Sequence, residues 1–455
     1  MTTIKVDTQT VTGPLETWRH SVGHGGINSL PLPDRVVAGT ARLQPRLIRI
    51  FIQEFFSIYP DHDRFDWGKL DPYMDALART GAKVVAAITI KPRVLYPDID
   101  HNIWQPSDVK EWQYVIGELA RRYSVVKPIV THWEIGNEVD IGEAGGSPYL
   151  IRNPQDYAEY YAMTIQPILE VFPQAKVGGP AMGTMHAEPL LGFVKHCRQT
   201  DTQLDFLSWH LYHSDPGRHG YLARIARLLA ADSSPQPELM VTEWSKLPAA
   251  WNMDENPNSS EDRAFDLRRA AMTAAAIIEM RQAGLDWSFY YHLWDQVCYA
   301  EDFTPFFSAA GVTSMLHHWN EAPHRLGLFG VGGEVRPQYF VYLMLSRLGD
   351  EQVAASSNDM SVRVLAGRSP AGVSVMAVNH SLDEQCDRVV TLQFSGLPHG
   401  VKQLTVTRID GEKRWNAGEL ELLPVEQRET YTRGVYLCQV WLPANSVMVV
   451  SLNSQ

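Results

Sequence analysis

Cysteine is scarce in this 455-residue chain, and the four residues, Cys197, Cys298, Cys386 and Cys438, include no Cys-x-x-Cys pair. That spacing indicates neither a zinc knuckle nor a disulfide framework, so buried free thiols are the expectation. Positive charge is also short. Against 52 Asp and Glu stand 40 Lys and Arg, a net charge of -12, and such a surface repels phosphate backbones and anionic lipid heads. No nucleic-acid or membrane partner is expected. No apolar run is long enough to span a bilayer, and the first seven residues lack the charged start and apolar core of a secretory signal; a cytoplasmic location is expected. The phosphate-cradling Gly-x-Gly-x-x-Gly is missing too: Val22 to Gly26 and Gly330 to Gly333 space their glycines otherwise, which argues against a doubly wound nucleotide-binding sheet. The 16 histidines do not supply His-x-His on an early strand with further ligands on later ones. No catalytic metal and no other cofactor is expected.

What is present is a folded composition, 45% hydrophobic and 20% charged, with length for one barrel-sized domain and a smaller one. Short β-rich runs alternate with amphipathic stretches. The strands read as Ser21 to Gly25, Leu47 to Ile52, Lys83 to Ile90, Val130 to Gly136, Lys176 to Gly179, Asp205 to Tyr212, Glu238 to Glu243 and Asp286 to Leu293. Helix starts are signalled at Asp34 after Pro33, Ser107 after Pro106, Asn153 before Pro154, and Ser260 before Glu261. In Asp156 to Phe172, Tyr157, Tyr160, Tyr161, Ile165, Ile168 and Leu169 recur near helical spacing and form a sheet-facing stripe. Eight such βα units predict an α/β fold, a (β/α)8 TIM barrel, with its chemistry at the C-terminal ends of the strands.

Beyond Leu348 the texture changes to short strands with turn signals, at Val362, Val373, Val389, Leu404, Val435 and Val447, which predicts a C-terminal β-sandwich. Ile4 to Thr12 alternates similarly and is expected to join it. The expected division is residues 1–14 as that strand, 15–349 as the barrel and 350–455 as the sandwich.

The chemistry concentrates at two strand ends. Thr131 to Val139 is an apolar strand closing on Asn137-Glu138, and Leu239 to Ser245, about a hundred residues later, closes on Glu243. Two carboxylates facing one barrel mouth are what glycosidic hydrolysis needs: one donates a proton to the leaving oxygen while the other attacks, or directs water at, the anomeric carbon. At a separation of roughly 5 Å the reaction retains configuration through a covalent glycosyl-enzyme. Mutual repulsion then raises one pKa and keeps that group protonated as the acid.

Trp133-Glu134-Ile135-Gly136-Asn137-Glu138, with Thr242-Glu243-Trp244 downstream, resembles the catalytic pair of clan A glycoside hydrolases, family 39 most closely. The resemblance covers roughly residues 18 to 350 and extends through Ile48-Arg49-Ile50, Lys176 to Pro180, Asp205 to Tyr212, Trp294 and Gly327 to Tyr339. It implies Glu138 as acid/base and Glu243 as nucleophile. It also implies that Asn137 bonds the sugar 2-hydroxyl, that His210 and Tyr212 hold sugar and nucleophile, that Arg49 keeps the nucleophile ionised, and that Trp294 floors the sugar. Glu301 matches a position where family 39 xylosidases place a sugar-binding Glu. By strand alternation Glu134 is a buried structural carboxylate beneath Glu138, and Lys91, at the third strand's end, is expected to be solvated.

The chain departs from the xylosidase pattern at Arg49-Ile50-Phe51, where Arg-x-His is usual, and at Asn137-Glu138-Val139 in place of Asn-Glu-Pro. Both bear on the sugar and not on the pair. The expected activity is therefore a retaining O-glycosidase, exo-acting on an oligosaccharide or glycoside and β-xylosidase-like. An endo-acting or uronide-specific enzyme of the same clan is the alternative, with Arg93, Lys91, Arg218 and Lys246 as cations for a sugar carboxylate. A catalytically silent carbohydrate-binding barrel, with 13 Trp and 18 Tyr for stacking, is the alternative of another class. The loops Val139 to Asn153 and Ser245 to Ser259 are long enough to wall a subsite. The barrel exterior leaves room for a homo-oligomer interface, which no residue marks.

Overall fold

The computed structural model describes residues 2–183, 185–246, 262–321, 326–383 and 386–454. After β1 (Thr2–Pro14), the strands β2 (His20–His24), β3 (Leu47–Gln53), β4 (Lys83–Thr89), β5 (Val130–Ile135), β6 (Lys176–Met182), β7 (Phe206–Tyr212), β8 (Glu238–Ser245) and β9 (Trp287–Tyr291) form a closed parallel barrel. Closure is by β2 on β9, with Gly23 opposite Tyr291. The helices α1 (Asp34–Arg42), α2 (Leu70–Ala78), α3 (Val109–Ala120), α4 (Pro154–Val171), α5 (Ala187–Thr200), α6 (Pro216–Leu229) and α7 (Asp262–Gln282) connect successive strands. Each of the eight runs predicted as strands is a barrel strand.

The barrel is parallel because every strand is wrapped on both faces, and the residues say so locally. All seven residues of β3, Leu-Ile-Arg-Ile-Phe-Ile-Gln, are buried, an apolar run broken only by Arg49 and Gln53, as in a strand covered by helices outside and side chains inside. The predicted stripe of α4 faces the sheet, and Tyr157 donates its hydroxyl hydrogen to Ile135 O at 2.7 Å. Asn153 caps α4 by accepting from Gln155 N, with Pro154 in the first turn. The start of α3 differs from expectation: Asp108, not Ser107, is the cap, its carboxylate accepting from Lys110 N and Glu111 N, while Ser107 N is spent on Leu95 O. The expected start at Ser260 lies outside the described residues.

Past β9 come α8 (Ala300–Phe303), α9 (Ala309–Leu316) and α10 (Pro337–Leu345), then the C-terminal strands β10 (Glu351–Ser357), β11 (Val362–Ser369), β12 (Gly372–Asn379), β13 (Arg388–Ile409), β14 (Trp415–Asn416), β15 (Glu421–Leu422), β16 (Pro424–Leu442) and β17 (Ser446–Ser454). A seven-stranded sheet runs β1-β10-β11-β12-β17-β13-β16, and β1 also pairs in parallel with β13, so the sheet rolls round its own core of Ile4, Val375, Leu392, Phe394 and Val450. The runs at Val389 and Leu404, read as two strands, are one long bent strand. Gly396 and Gly400 adopt positive φ at the bend, so β13 turns without leaving the sheet. The expectation of buried thiols fails at Cys386, which is exposed; Cys197, Cys298 and Cys438 are buried. No helix among the described residues is long and apolar enough to cross a membrane.

Candidate active site

Glu138 and Glu243 meet at the C-terminal end of the barrel. Beyond β5 the chain passes through two left-handed residues, Gly136 (φ +91°) and Glu138 itself (φ +44°), and Glu138 N donates to Ala181 O at 2.8 Å. A non-glycine residue in that region is strained, and the loop that imposes the strain also aims the side chain. Glu243 lies within β8, where a register shift against β7 sets it opposite His210.

His210 joins the pair. Its Nδ1 is 2.8 Å from Glu138 Oε1 and 3.1 Å from Glu243 Oε2. Burial, and then Arg49, push its pKa well below the ordinary value, so the ring is neutral. With a carboxylate oxygen on either side, Nδ1 is the nitrogen that carries the hydrogen; Nε2 is buried without a hydrogen-bond partner. Tyr212, two residues on and pointing the same way, donates to Glu243 Oε1 at 2.8 Å.

Arg49, on β3 and 1% exposed, ties the floor together. Its Nε donates to Glu134 Oε2 at 2.7 Å, its Nη2 to Asn137 Oδ1 at 2.7 Å, and its Nη1 to Glu243 Oε2 at 3.4 Å. Glu134 is fully buried one layer below the pair, the place strand alternation gave it. Because Asn137 Oδ1 is engaged by Arg49, its amide nitrogen is the end left to face the site; it makes only a 3.4 Å contact with Gly145 O.

These partners separate the two glutamates electrostatically. Burial raises both pKa values. Glu138 is pushed well above the carboxylate range, first by burial and then by the charges of Glu243 and Asp140, with Arg49 opposing. Glu243 rises less because Arg49 and the Tyr212 hydroxyl stabilise its charge. Glu243 is thus the group that ionises first and Glu138 the one that keeps its proton.

One oxygen of each glutamate and a ring nitrogen of His210 lie within 4.8 Å of one another, a spacing that could ligate a cation. The donor set is a poor one for that purpose. The Arg49 guanidinium already supplies positive charge at Glu243, and the His210 nitrogen facing the carboxylates is the protonated one, with no lone pair to offer.

Other residues fall differently. Lys91, expected to be solvated, is 3% exposed: its Nζ donates to Asp100 O at 2.8 Å and Pro148 O at 2.9 Å, pinning the loop that follows β5. Burial lowers its pKa to about 8. Trp294 is buried with its ring 6.0 Å from that of His24, and donates Nε1–H to Val331 O at 3.3 Å. Glu301 is exposed on α8, beside Asp302.

A second aromatic ring beside the pair, after Tyr212, is Tyr291, which sequence reasoning missed. Its pKa is raised by burial and then by the Glu243 charge; the ring meets Phe51 edge-on at 6.2 Å and Trp319 at 5.9 Å. The position opposite Gly23 at the end of β9 was its available signal. Trp319 lies on the π-helical turn His317–Glu321 that continues α9, and no spacing marks it.

Arg49→Met tests the electrostatic reading. It is expected to destabilise the fold by about 3–5 kcal/mol in urea melts, because Glu134 loses its buried counter-ion. In the enzyme that remains folded, the acidic limb of the pH–rate profile is expected to move upward, since Glu243 has lost the cation that favours its charge. An unmoved limb would remove Arg49 from the account.

The family model for glycosyl hydrolases family 39 matches residues 3–419. A β-xylosidase of Geobacillus stearothermophilus is 22% identical over 311 residues, covering 65% of this chain; the chain spans 58% of that relative's length. Among solved structures, a monomeric β-xylosidase from Caulobacter crescentus superposes with a TM-score of 0.76 at 19% identity, covering 99% of each chain. A family 39 enzyme from Xanthomonas axonopodis pv. citri gives 0.75 at 18% identity, covering 100% of this chain and 97% of its own. At such identities the structural agreement is one of fold. The family model spans the barrel and the rolled sheet as far as β14, and on that match the chain belongs to glycosyl hydrolases family 39.

Proposed function

We propose that this protein is a retaining O-glycosidase, exo-acting on an oligosaccharide or glycoside and β-xylosidase-like. The observation that carries the reading is that an oxygen of Glu138 and an oxygen of Glu243 lie within 4.8 Å of each other, close enough for a double displacement and too close for a water-bridged inversion. In the first step Glu243 attacks the anomeric carbon while Glu138 passes its proton to the glycosidic oxygen; the aglycone leaves and a glycosyl ester remains. Esterification removes the Glu243 charge that helps to hold the Glu138 pKa up. Glu138, now a carboxylate of lower pKa, takes a proton from water as that water attacks the anomeric carbon and expels Glu243.

The neighbouring groups fit these steps. The Asn137 amide nitrogen donates to the sugar 2-hydroxyl, a contact that strengthens as positive charge develops at the adjacent carbon. Tyr212, whose pKa burial pushes well above the ordinary phenol value, stays protonated and holds Glu243 in its attacking orientation. Exo action is supported by the wall beside Glu138, where Lys91 pins Pro148 O and Gln53 Nε2 donates to Gly146 O at 2.9 Å. The uronide alternative loses one of its cations, because the Lys91 ammonium is buried on two carbonyls.

Release of nitrophenol from a panel of aryl xylosides, arabinosides, galactosides, glucosides and uronides tests the reading. Turnover of xylosides by wild type, absent in Glu243→Ala, is expected. Turnover of uronides alone would overturn the sugar, and no turnover across the panel would point to an endo enzyme or a silent binding barrel.

A further inference from the structure

Glu138 sits on a loop that needs an anchor. Its carbonyl accepts from both Ile141 N and Gly142 N at 2.9 Å, and the one-turn 3-10 helix Gly142–Gly145 then folds back over its own side chain. A Cβ on Gly145 would collide with Glu138 Oε2, so the turn lies directly against the acid. Such a turn has too few internal hydrogen bonds to be rigid alone.

The side chain that fastens it is Glu143, 7% exposed and pointing away from the pair. Its Oε1 accepts from Ser308 N at 2.8 Å, and its Oε2 accepts from the Ser308 hydroxyl. Ser308 in turn caps α9 by accepting from Gly311 N at 3.1 Å, and Gly311 has no Cβ to obstruct the Glu143 carboxylate. The carboxylate therefore lies at the positive end of α9, whose continuation carries Trp319 to the rings beside the pair.

Resting on the assignment of Glu138 as the acid, we propose that Glu143 is its positioning residue: by bolting the Gly142–Gly145 turn to α9 it holds the Glu138 carboxyl at the glycosidic oxygen and keeps water off it. The charged and titratable groups facing Glu138 are Glu243, Asp140, Arg49 and His210, and those facing Glu143 are Lys91 and His101. Changing Glu143 leaves the groups that face Glu138 in place; Lys91 alone loses a charge that favours its protonated form. Loosening the turn hydrates Glu138 and spoils its aim, which impairs proton donation and leaves nucleophilic attack alone.

The test compares phenyl and dinitrophenyl β-xylosides, or the corresponding glycosides of whichever sugar the panel selects. A phenolate needs protonation to leave and a dinitrophenolate does not. Glu143→Ala is expected to lower kcat on the phenyl glycoside about 10- to 100-fold with KM little changed, the scale of a misplaced catalytic group. In kcat/KM, which reports formation of the glycosyl-enzyme alone, the dinitrophenyl glycoside should stay within about 3-fold, and the basic limb of kcat/KM should move to lower pH as water reaches Glu138. Glu143→Gln can accept from Ser308 N and donate to its hydroxyl, so it should restore near-normal behaviour. Ser308→Ala, which removes one of the two bonds, should show the same bias more weakly, and it decides the matter if Glu143→Ala does not fold. Equal loss of kcat/KM on both substrates, or an unmoved basic limb, overturns the proposal. If Glu138→Ala itself shows no leaving-group bias, it is the acid assignment that fails.

Discussion

Glu243→Ala is expected to lose kcat by on the order of 10⁴ to 10⁶, the scale seen when a covalent nucleophile is removed. The loss is chemical, because Arg49 keeps Glu134 and Asn137 as partners and the floor of the site stays assembled. Adding azide to the variant should restore turnover of an activated aryl glycoside. The cavity left by the carboxylate admits a small anion on the face Glu243 occupied, and the product should be a glycosyl azide of configuration opposite to the substrate. A product of retained configuration, or a variant with wild-type turnover, would remove Glu243 from the nucleophile's role. Nuclear magnetic resonance of the anomeric proton reads the result directly.

Glu138→Ala should behave as its complement. A general acid contributes about 10² to 10⁴ in rate, and that loss should fall on poor leaving groups, with dinitrophenyl glycosides largely spared in the first step. The wild-type kcat/KM profile should be bell-shaped, its acidic limb from Glu243 lying above the ordinary carboxylate range and its basic limb from Glu138 higher still. The variant should lose the basic limb only. Stability gives an independent reading. The pKa of Glu138 is higher folded than unfolded, so below its unfolded value the group costs the fold nothing, and the cost grows as pH rises towards the folded value. Glu138→Gln should therefore melt above wild type by a margin that widens from pH 5 to pH 8. A margin that shrinks with pH would contradict the buried, raised acid.

The barrel was legible because each of its strands is a compact β-rich run bounded by turn residues, and burial on both faces leaves little room for anything but apolar side chains. The pair was legible because two such runs close on carboxylates at one barrel mouth; singly, a strand-end carboxylate is ordinarily solvated or ion-paired. What escaped has physical causes too. β10, Glu-Gln-Val-Ala-Ala-Ser-Ser, has only Val353 buried and offers almost no alternation to read. The bend in β13 passes through Gly396-Leu397-Pro398-His399-Gly400, a sequence that reads as a loop because its turn residues remain within a continuous strand. Lys91 was misjudged because a charged side chain at a strand end is ordinarily hydrated, and the two carbonyls that take its hydrogens come from loops whose paths no periodicity predicts. Tyr291 was passed over because an apolar strand ending in Phe-Tyr-Tyr reads as core, and only the closed barrel brings that ring beside the glutamates.

The pairing of β1 has a consequence for how the molecule comes into being. Translated ahead of the barrel, β1 meets its antiparallel neighbour β10 and its parallel neighbour β13 only after the whole barrel has been made. Until then it is an unpaired strand edge, the kind of surface that aggregates during synthesis. Its sequence tempers the hazard, since the buried residues Ile4 and Val6 give way to the exposed, polar Gln9, Thr10 and Thr12. The barrel, whose closing strand β9 is made long before β13, can assemble its catalytic end while the nascent rolled sheet is still lacking most of its strands. Maturation thus proceeds from the barrel outward, with β1 paired to β13 after the barrel has closed.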